Sequence, residues 1–354
     1  MINVGVIGAG TVAQLMHFPT LSNLPDLFKI AAVSDLSPSL TKYISSKYNA
    51  RGFSSPFDMI NDREIDAIFV LSPDQYHAEY AKAAITANKH VFIEKPVTLC
   101  PQELQELINL EKQHTGLVCM VGYMRRYAQG FLKCKQILES DSRKIEYLRF
   151  RDIILEGDYF IDQTMHPFVP NDISGEKLAE SAERRSKQIR LALGENCTEQ
   201  QRISYQMLTG LGCHSLSSVR ELVGMPLEIK SVTANGEHLV VVFQFDGFLG
   251  VYELVNDQDI VQFDAAIEIY QHDRYMHIKY ETPYLRYQPQ HFTVVESSKH
   301  DSKTTTYGPD YHDAFENELK VFHDCIQNGQ KPKTSLEDSM DDLTLFKTIC
   351  EKIQ

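Results

Sequence analysis

Short apolar runs alternate with amphipathic stretches along roughly the first third of the chain. Apolar residues that run together between turn-forming residues predict buried strands at 2–7, 29–35, 67–71, 91–94 and 117–122. Helical spacing of apolar positions predicts helices between them, at about 11–23, 75–88 and 102–114. Strands that alternate with helices in this way predict an α/β fold with a doubly wound parallel sheet.

The pattern changes beyond Tyr123. From 227 to about 296 the sequence is strand-rich, and it predicts successive antiparallel strands at 239–245, 260–270 and 275–280. Helices are predicted at 125–138 and, at the end of the sequence, at about 311–328 and 336–353. We therefore predict two domains, 1–122 with the parallel sheet and 123–354 with an α+β fold.

A polar stretch at about 156–201 interrupts the second part. Its portion 176–193 is charged and has helical spacing, which is typical of a solvated lid or flap. The alternative for its arginines, Arg184, Arg185 and Arg190, is a phosphate clamp.

Composition narrows the classes of partner. The formal net charge is -13, which disfavours nucleic acid and anionic lipid as partners. No basic segment precedes the first strand and no apolar run approaches membrane-spanning length, so we expect a cytoplasmic protein with no membrane partner. The 7 cysteines have no paired spacing and the 13 histidines no ligand spacing, so neither a disulfide framework nor a metal site is predicted.

A glycine-rich turn follows the first strand. Gly8, Gly10 and the start of a helix at Thr11 and Val12 fit a dinucleotide fingerprint, in which glycines let pyrophosphate approach backbone amides. The second strand ends in Asp35, an acid placed to bind the adenosine ribose hydroxyls. Because this carboxylate would repel a 2′-phosphate, NAD is favoured as cofactor over NADP. The alternative role for Asp35 is a helix cap.

The stretch His90–Pro96 ends a buried strand with Glu94 and Lys95. Ligands bind beyond the carboxyl ends of parallel strands, so this acid and base would lie at the floor of a site. A partly desolvated ammonium beside a carboxylate can carry a proton at neutral pH. A salt bridge at a strand end is the alternative.

Taken in order, these residues resemble the Gfo/Idh/MocA family of nicotinamide-dependent oxidoreductases. The marks are the glycine turn, Ser72 and Pro73 with His77, Glu94-Lys95-Pro96, the stretch 121–127, and Gly212-Cys213-His214. The resemblance implies an N-terminal Rossmann domain and a C-terminal domain with a large, mostly antiparallel sheet. In relatives that sheet commonly forms a subunit interface, so a homodimer or homotetramer is expected.

The resemblance also implies roles for single residues. Lys95 and His214 are the expected catalytic residues, and Glu94 helps to order the site. The expected cofactor-binding residues are those of the glycine turn together with Asp35, Ser72, Pro73, His77, Glu94 and Lys95. Substrate contacts are expected from Tyr123, Arg125, Arg126 and His214.

One position departs from the family pattern. Many sugar and inositol dehydrogenases have Asp four residues before the histidine, where this chain has Gly210. The leading hypothesis is hydride transfer between nicotinamide and a carbinol carbon of a sugar, polyol or related small molecule. The alternatives are a glycosidase or lyase that oxidises its sugar transiently, and a non-catalytic NAD-sensing regulator.

Overall fold

The computed structural model describes residues 1–154, 158–256 and 263–353, which form two compact units. Neither unit is continuous in sequence. The first unit comprises Met1–Tyr123, Met165–Asn196 and Phe315–Thr344, and the second comprises Met124–Thr164, Cys197–Ala314 and Leu345–Gln354. A domain boundary after residue 122 stays a prediction.

The first unit contains a six-stranded sheet in the order β3-β2-β1-β4-β5-β6, with every neighbouring pair parallel. This confirms the predicted doubly wound parallel sheet. The order reverses between β1 and β4, which makes that edge the switch point where such sheets bind ligands. The strands are β1 Ile2–Ile7, β2 Phe28–Ser34, β3 Arg51–Phe53, β4 Ala67–Val70, β5 His90–Glu94 and β6 Cys119–Gly122.

Helices connect these strands. The first begins after Gly10 and widens into a π-helical turn at Ala13–His17. Pro19, which has no N–H to donate to the carbonyl of Leu15, lies just beyond this turn and accounts for it. The α-helices are α1 Phe18–Asn23, α2 Pro38–Tyr48, α3 Pro56–Ile60, α4 His77–Thr86 and α5 Pro101–Gln113, with a 3₁₀ turn at Asp74–Tyr76.

The second unit contains an eight-stranded sheet in the order β14-β13-β12-β11-β7-β10-β9-β8. Only the pair β7 and β10 is parallel among its described strands, which confirms a mostly antiparallel sheet. Positions 260–262 of one predicted strand lie outside the described residues. The strands are β7 Ile145–Ile154, β8 Glu228–Asn235, β9 His238–Gln244, β10 Leu249–Asn256, β11 Phe263–Gln271, β12 Arg274–Tyr280, β13 Gln290–Ser297 and β14 Ser302–Asp310.

The segment after Tyr123 contains two helical elements where one was predicted. The prediction of one helix over 125–138 was wrong, because Ala128 has an extended backbone that separates a 3₁₀ turn, Met124–Tyr127, from the helix that follows. A second π-helical turn, Leu208–Gly212, lies next to the helix that carries His214. The helices are α6 Gln129–Glu139, α7 Asp158–Thr164, α8 Gly175–Leu193, α9 Glu199–Met207, α10 Cys213–Val223, α11 Ala314–Asn328 and α12 Leu336–Glu351.

Aromatic side chains form the core behind β4 and β5 in the first unit. Phe69 stacks on Phe92 with ring centroids 4.9 Å apart, and Phe322 of α11 packs edge-on against both rings at 5.7 Å. Phe315, also from α11, contacts the ring of His17 edge-on at 5.6 Å. The C-terminal part of the chain therefore completes a core that the N-terminal strands begin.

Among the described residues, no helix combines the length and apolar character needed to cross a membrane. The same residues contain no group of three or more His, Cys, Asp or Glu side chains arranged to hold a metal ion. All seven cysteines are free thiols, and six of them are buried.

We predict that Gly8→Ala destabilises the protein by at least about 2 kcal/mol. Gly8 has φ +90°, and a Cβ there would lie 2.5 Å from the backbone nitrogen of Ser72. Gly10→Ala is the control, because its Cβ would meet no atom within 4 Å. Urea unfolding measures both variants, and equal midpoints would contradict the prediction.

Candidate functional site

Three neighbouring strands of the first unit end at one edge of the sheet. The sheet order places β1 beside β4 and β4 beside β5. The glycine turn, Ser72 and Glu94 follow or end these strands, so the fold brings the predicted cofactor residues to the switch point. This is the edge where an open α/β sheet receives a ligand.

The glycine turn has one closed side and one open side. Gly8 lies against the end of β4, where a side chain would collide with the backbone of Leu71 and Ser72. Gly10, Thr11 and Val12 are exposed, and space beside Gly10 is open. The first amides of a helix have no intrahelical acceptor, so this turn can receive the pyrophosphate of a dinucleotide.

Asp35 lies beside this turn. One carboxylate oxygen accepts the amide of Ala9 at 2.8 Å and the other accepts the amide of Ser37 at 2.8 Å. Ser37, not Asp35, is the N-cap of α2, because its hydroxyl accepts the Leu40 amide at 3.0 Å. The helix-cap alternative for Asp35 is therefore wrong.

His77 connects two loops of the edge. Its Nδ1 lies 2.7 Å from the carbonyl oxygen of Pro96, and its Nε2 lies 2.6 Å from the carbonyl oxygen of Ser72. Both partners are carbonyl oxygens, which only accept hydrogen bonds. The histidine holds the loop after β5 against the loop after β4, while Pro73 is exposed at the rim.

Glu94 ends β5 and is bound from within the core. Nε2 of His17, a side chain with no exposed surface, lies 2.7 Å from Glu94 Oε1. Burial by itself would raise the pKa of Glu94, but the bond from His17 and the positive charges of His17, Lys95 and His77 outweigh it and lower that pKa. Glu94 is therefore ionised at neutral pH.

Lys95 follows directly. Its amide donates to Oε2 of Glu94 at 3.0 Å, and its side chain is half-buried. Gly122 on β6 makes room for this arrangement, because a Cβ there would lie 3.3 Å from Glu94 Oε1.

His17 was not predicted as a site residue from the sequence. The available signal was a histidine inside an apolar helical stretch.

The second unit holds Arg125 in a buried polar network. Nη1 of Arg125 donates to Asp152 at 2.6 Å and to the hydroxyl of Ser215 at 2.9 Å. Tyr252 donates its hydroxyl to the other oxygen of Asp152 at 2.8 Å. Burial raises the pKa of Tyr252 well above its usual range, and the adjacent Asp152 carboxylate adds to this, so the phenol stays neutral.

This network fixes the first turn of α10, because Ser215 follows His214 directly. His214 is 8% exposed. Asp152 and Tyr252 were not predicted as site residues from the sequence. The available signal for Asp152 was an acid at a position two residues after Phe150 and four after Leu148, on the buried face of β7.

Arg126 is also held inside the second unit. It pairs with Glu221 at 2.5 Å and is 2% exposed. Both guanidiniums, of Arg125 and Arg126, bind carboxylates of their own unit. A substrate role for these two arginines therefore stays a prediction. Tyr123, which is 2% exposed, is the last residue of the first of the three segments that form the first unit.

Gly210 lies in the π-helical turn before α10 and is exposed. A Cβ built there would meet no atom within 4 Å. Crowding therefore does not require glycine at this position.

The segment 165–196 of the polar insert belongs to the first unit. Arg184 pairs with Glu79 at 2.6 Å, and Arg185 pairs with Asp74 at 2.6 Å. The alternative of a phosphate clamp is disfavoured, since these arginines bind carboxylates. Helix α8 also buries Gln188, Ile189 and Ala192, so it packs more firmly than a solvated flap would.

Residues 168–172, which we call the strap, contact the helices after β1 and β2. The amide of Phe168 donates to Gln14 Oε1 at 2.8 Å, and Gln14 Nε2 donates to the Phe168 carbonyl at 3.0 Å. The Phe168 ring stacks on Tyr43 of α2 at 4.8 Å. Asp172 binds Ser37 and Ser39 at the start of the same helix. The strap thus joins both sides of the glycine turn.

We predict that His17→Phe reverses the pH dependence contributed by Glu94. In the native protein the pKa of Glu94 is lowered in the folded state. The stabilisation that Glu94 contributes is therefore present above the ordinary carboxyl pKa, and it is lost as pH falls through the lowered pKa of the folded state. Without His17, burial raises that pKa, and stability falls as pH rises from about 4 towards 7. At pH 7 the free energy of unfolding of His17→Phe should be about 3–5 kcal/mol lower than that of the native protein.

Urea unfolding between pH 4 and 8 measures this difference. His272→Phe is the matched control, since that side chain is 91% exposed. A pH profile of His17→Phe parallel to that of the native protein would contradict the role given to His17.

Comparisons with known proteins agree with this geometry. Residues 2–123 match the Gfo/Idh/MocA model, described as an oxidoreductase family with an NAD-binding Rossmann fold. The chain is 34% identical over 179 residues to the uncharacterized oxidoreductase YrbE of Bacillus subtilis, covering 47% of this chain and 52% of that protein. It is 33% identical over 140 residues to inositol 2-dehydrogenase 2 of Saccharopolyspora erythraea, covering 39% of this chain and 41% of that protein. The matched part of the chain thus spans 52% of the length of the first relative and 41% of the length of the second.

A solved structure resembles the whole chain. KijD10, a 3-ketoreductase from Actinomadura kijaniata in complex with NADP and TDP-benzene, superposes with a TM-score of 0.75 at 16% identity. The match covers 100% of this chain and 98% of KijD10. At this identity the likeness shows a shared fold. The match over residues 2–123, the parallel sheet and the glycine turn at its switch point together show that this part of the chain is similar to the NAD-binding Rossmann domain of the Gfo/Idh/MocA oxidoreductase family.

Proposed function

We propose that the protein is an NAD-dependent oxidoreductase that transfers a hydride between nicotinamide and a carbinol carbon of a sugar, polyol or related small molecule. The observation that carries the proposal is the pair Glu94 and Lys95 at the carboxyl end of β5, with Glu94 held ionised by His17. Similarity to inositol 2-dehydrogenases supports the substrate class.

The residues of the first unit suit a bound dinucleotide. The open space beside Gly10 would admit pyrophosphate, and Asp35, which two backbone amides hold in place, would bind the ribose. His77 and Glu94 fix the loops on either side of Ser72 and Lys95. The nicotinamide ring supplies the acceptor for the hydride.

Oxidation of a carbinol removes a hydride from carbon and a proton from oxygen. In this proposal the Lys95 amine takes the hydroxyl proton as the carbonyl forms, and in reduction the ammonium returns it. The same ammonium stabilises the developing alkoxide. The ionised Glu94 accepts the backbone amide of Lys95 and so helps to hold this residue in place.

His214 is proposed as a second proton carrier, and Tyr123 as a residue bordering nicotinamide and substrate. The network of Arg125, Asp152 and Ser215 would then position the helix that carries His214. The space at Gly210 is proposed to admit a substrate that needs no carboxylate at that position.

We predict that Lys95→Ala lowers turnover by about 10²–10⁴-fold while NAD affinity changes by less than about threefold. Absorbance of reduced nicotinamide, measured with a panel of sugars, polyols and glycosides, gives turnover, and calorimetry gives affinity. Lys82→Ala is the control, since Lys82 makes only an exposed ion pair with Glu106. Unchanged turnover in Lys95→Ala would exclude the proposed role.

One observation favours a second candidate, a glycosidase or lyase that oxidises its sugar transiently and regains the hydride in each turnover. The strap joins the helix after the glycine turn to α2, and under this candidate it would help to retain a bound dinucleotide. Retention suits an enzyme that recycles its cofactor without release.

We predict under this candidate that the purified protein carries about one nicotinamide nucleotide per chain after dialysis, released by acid and measured by absorbance. Phe168→Ala, which removes the stacking on Tyr43, should lose it. Glycoside cleavage without net NADH would support the candidate. Free exchange of cofactor in the native protein, with NADH accumulating, would exclude it.

A further inference from the structure

Asp172 of the strap lies at the N-terminus of α2. Its Oδ1 accepts the hydroxyl of Ser37 at 2.5 Å, and its Oδ2 accepts the amide of Ser39 at 2.8 Å. Ser37 is fully buried, and its own amide donates to Asp35. A single serine therefore binds the carboxylate predicted to hold the ribose and a second carboxylate that comes from the insert.

The position of these donors matters for the cofactor, and the argument rests on the proposed function. An acid at the end of β2 binds the adenosine ribose 2′-hydroxyl. In NADP that oxygen carries a phosphate, which must therefore lie one bond beyond the hydroxyl, next to Asp35. The Ser37 hydroxyl and the Ser39 amide, at the start of α2, are hydrogen-bond donors that could bind an anion there.

We infer that Asp172 is a specificity-determining residue that selects NAD over NADP. It occupies both donors that a 2′-phosphate would need, and it adds a second negative charge beside Asp35. A phosphate would have to displace this carboxylate or remain close to two like charges without these two donors, and either outcome weakens binding.

Two further features keep this charge in place. The bonds from Ser37 and Ser39 lower the pKa of Asp172, so the side chain is ionised at neutral pH. Phe168, four residues earlier, is held by two hydrogen bonds to Gln14 and by stacking on Tyr43. The strap therefore delivers Asp172 to a fixed position, although the side chain itself is exposed.

This residue lies outside the region 2–123 that matches the Rossmann family model. The fingerprint of that region contains Asp35 but not Asp172. Cofactor choice in this chain would thus depend on two carboxylates from segments far apart in sequence.

Isothermal titration of NADH and of NADPH into the native protein and Asp172→Asn tests the inference. The amide has nearly the shape of the carboxylate but no charge, so NADPH should bind about tenfold or more tightly in the variant, while NADH changes by less than about twofold. The native protein should prefer NADH.

Two controls separate charge from anchoring. Glu180→Gln removes one charge from an exposed position of α8 and should leave both affinities unchanged. Phe168→Ala loosens the strap but leaves Asp172 charged, so it should shift the NADPH-to-NADH affinity ratio in the same direction as Asp172→Asn, by a smaller factor.

The outcomes are distinguishable. An NADPH-to-NADH affinity ratio in Asp172→Asn that matches the ratio in Glu180→Gln overturns the inference and leaves the proposed function standing. Equal affinity of the native protein for both nucleotides also overturns it. Failure of the native protein to bind either nucleotide overturns the proposed function and the inference with it.

Discussion

The first unit depends on one buried contact between an imidazole and a carboxylate. His17 has no exposed surface and Glu94 has a side chain 13% exposed, so neither could carry its polar atoms there without the other. The π-helical turn supplies the histidine and β5 supplies the acid. The amide of Lys95 then binds the far oxygen of the same carboxylate, so the order of the candidate site is set from within the hydrophobic core.

Much of this arrangement was predictable from the sequence, for a physical reason. Parallel strands end at a common edge, so local patterns around Gly8, Asp35 and Glu94 also predict that these residues meet. The contacts of His17, Asp152 and Asp172 were not predictable in this way. Each joins segments that are 77, 27 and 135 residues apart, and no local periodicity reports such a distance.

The insert was misjudged for a related reason. Its charged composition is typical of a solvated surface, and charge alone does not reveal where the partner of each arginine lies. Arg184 and Arg185 bind Glu79 and Asp74, acids that lie 105 and 111 residues earlier in the sequence. The composition of this segment is typical of a flap, but residues 165–196 pack as part of the first unit.

The return of α11 to the first unit also bears on how the chain folds. Phe315 and Phe322 complete the aromatic core around His17 and Phe92, yet they are translated about two hundred residues after β6. Non-local contacts of this kind slow folding, because a long loop must close before they can form. During synthesis the core of the first unit therefore stays incomplete until α11 has left the ribosome, so residues 1–123 alone lack part of their core.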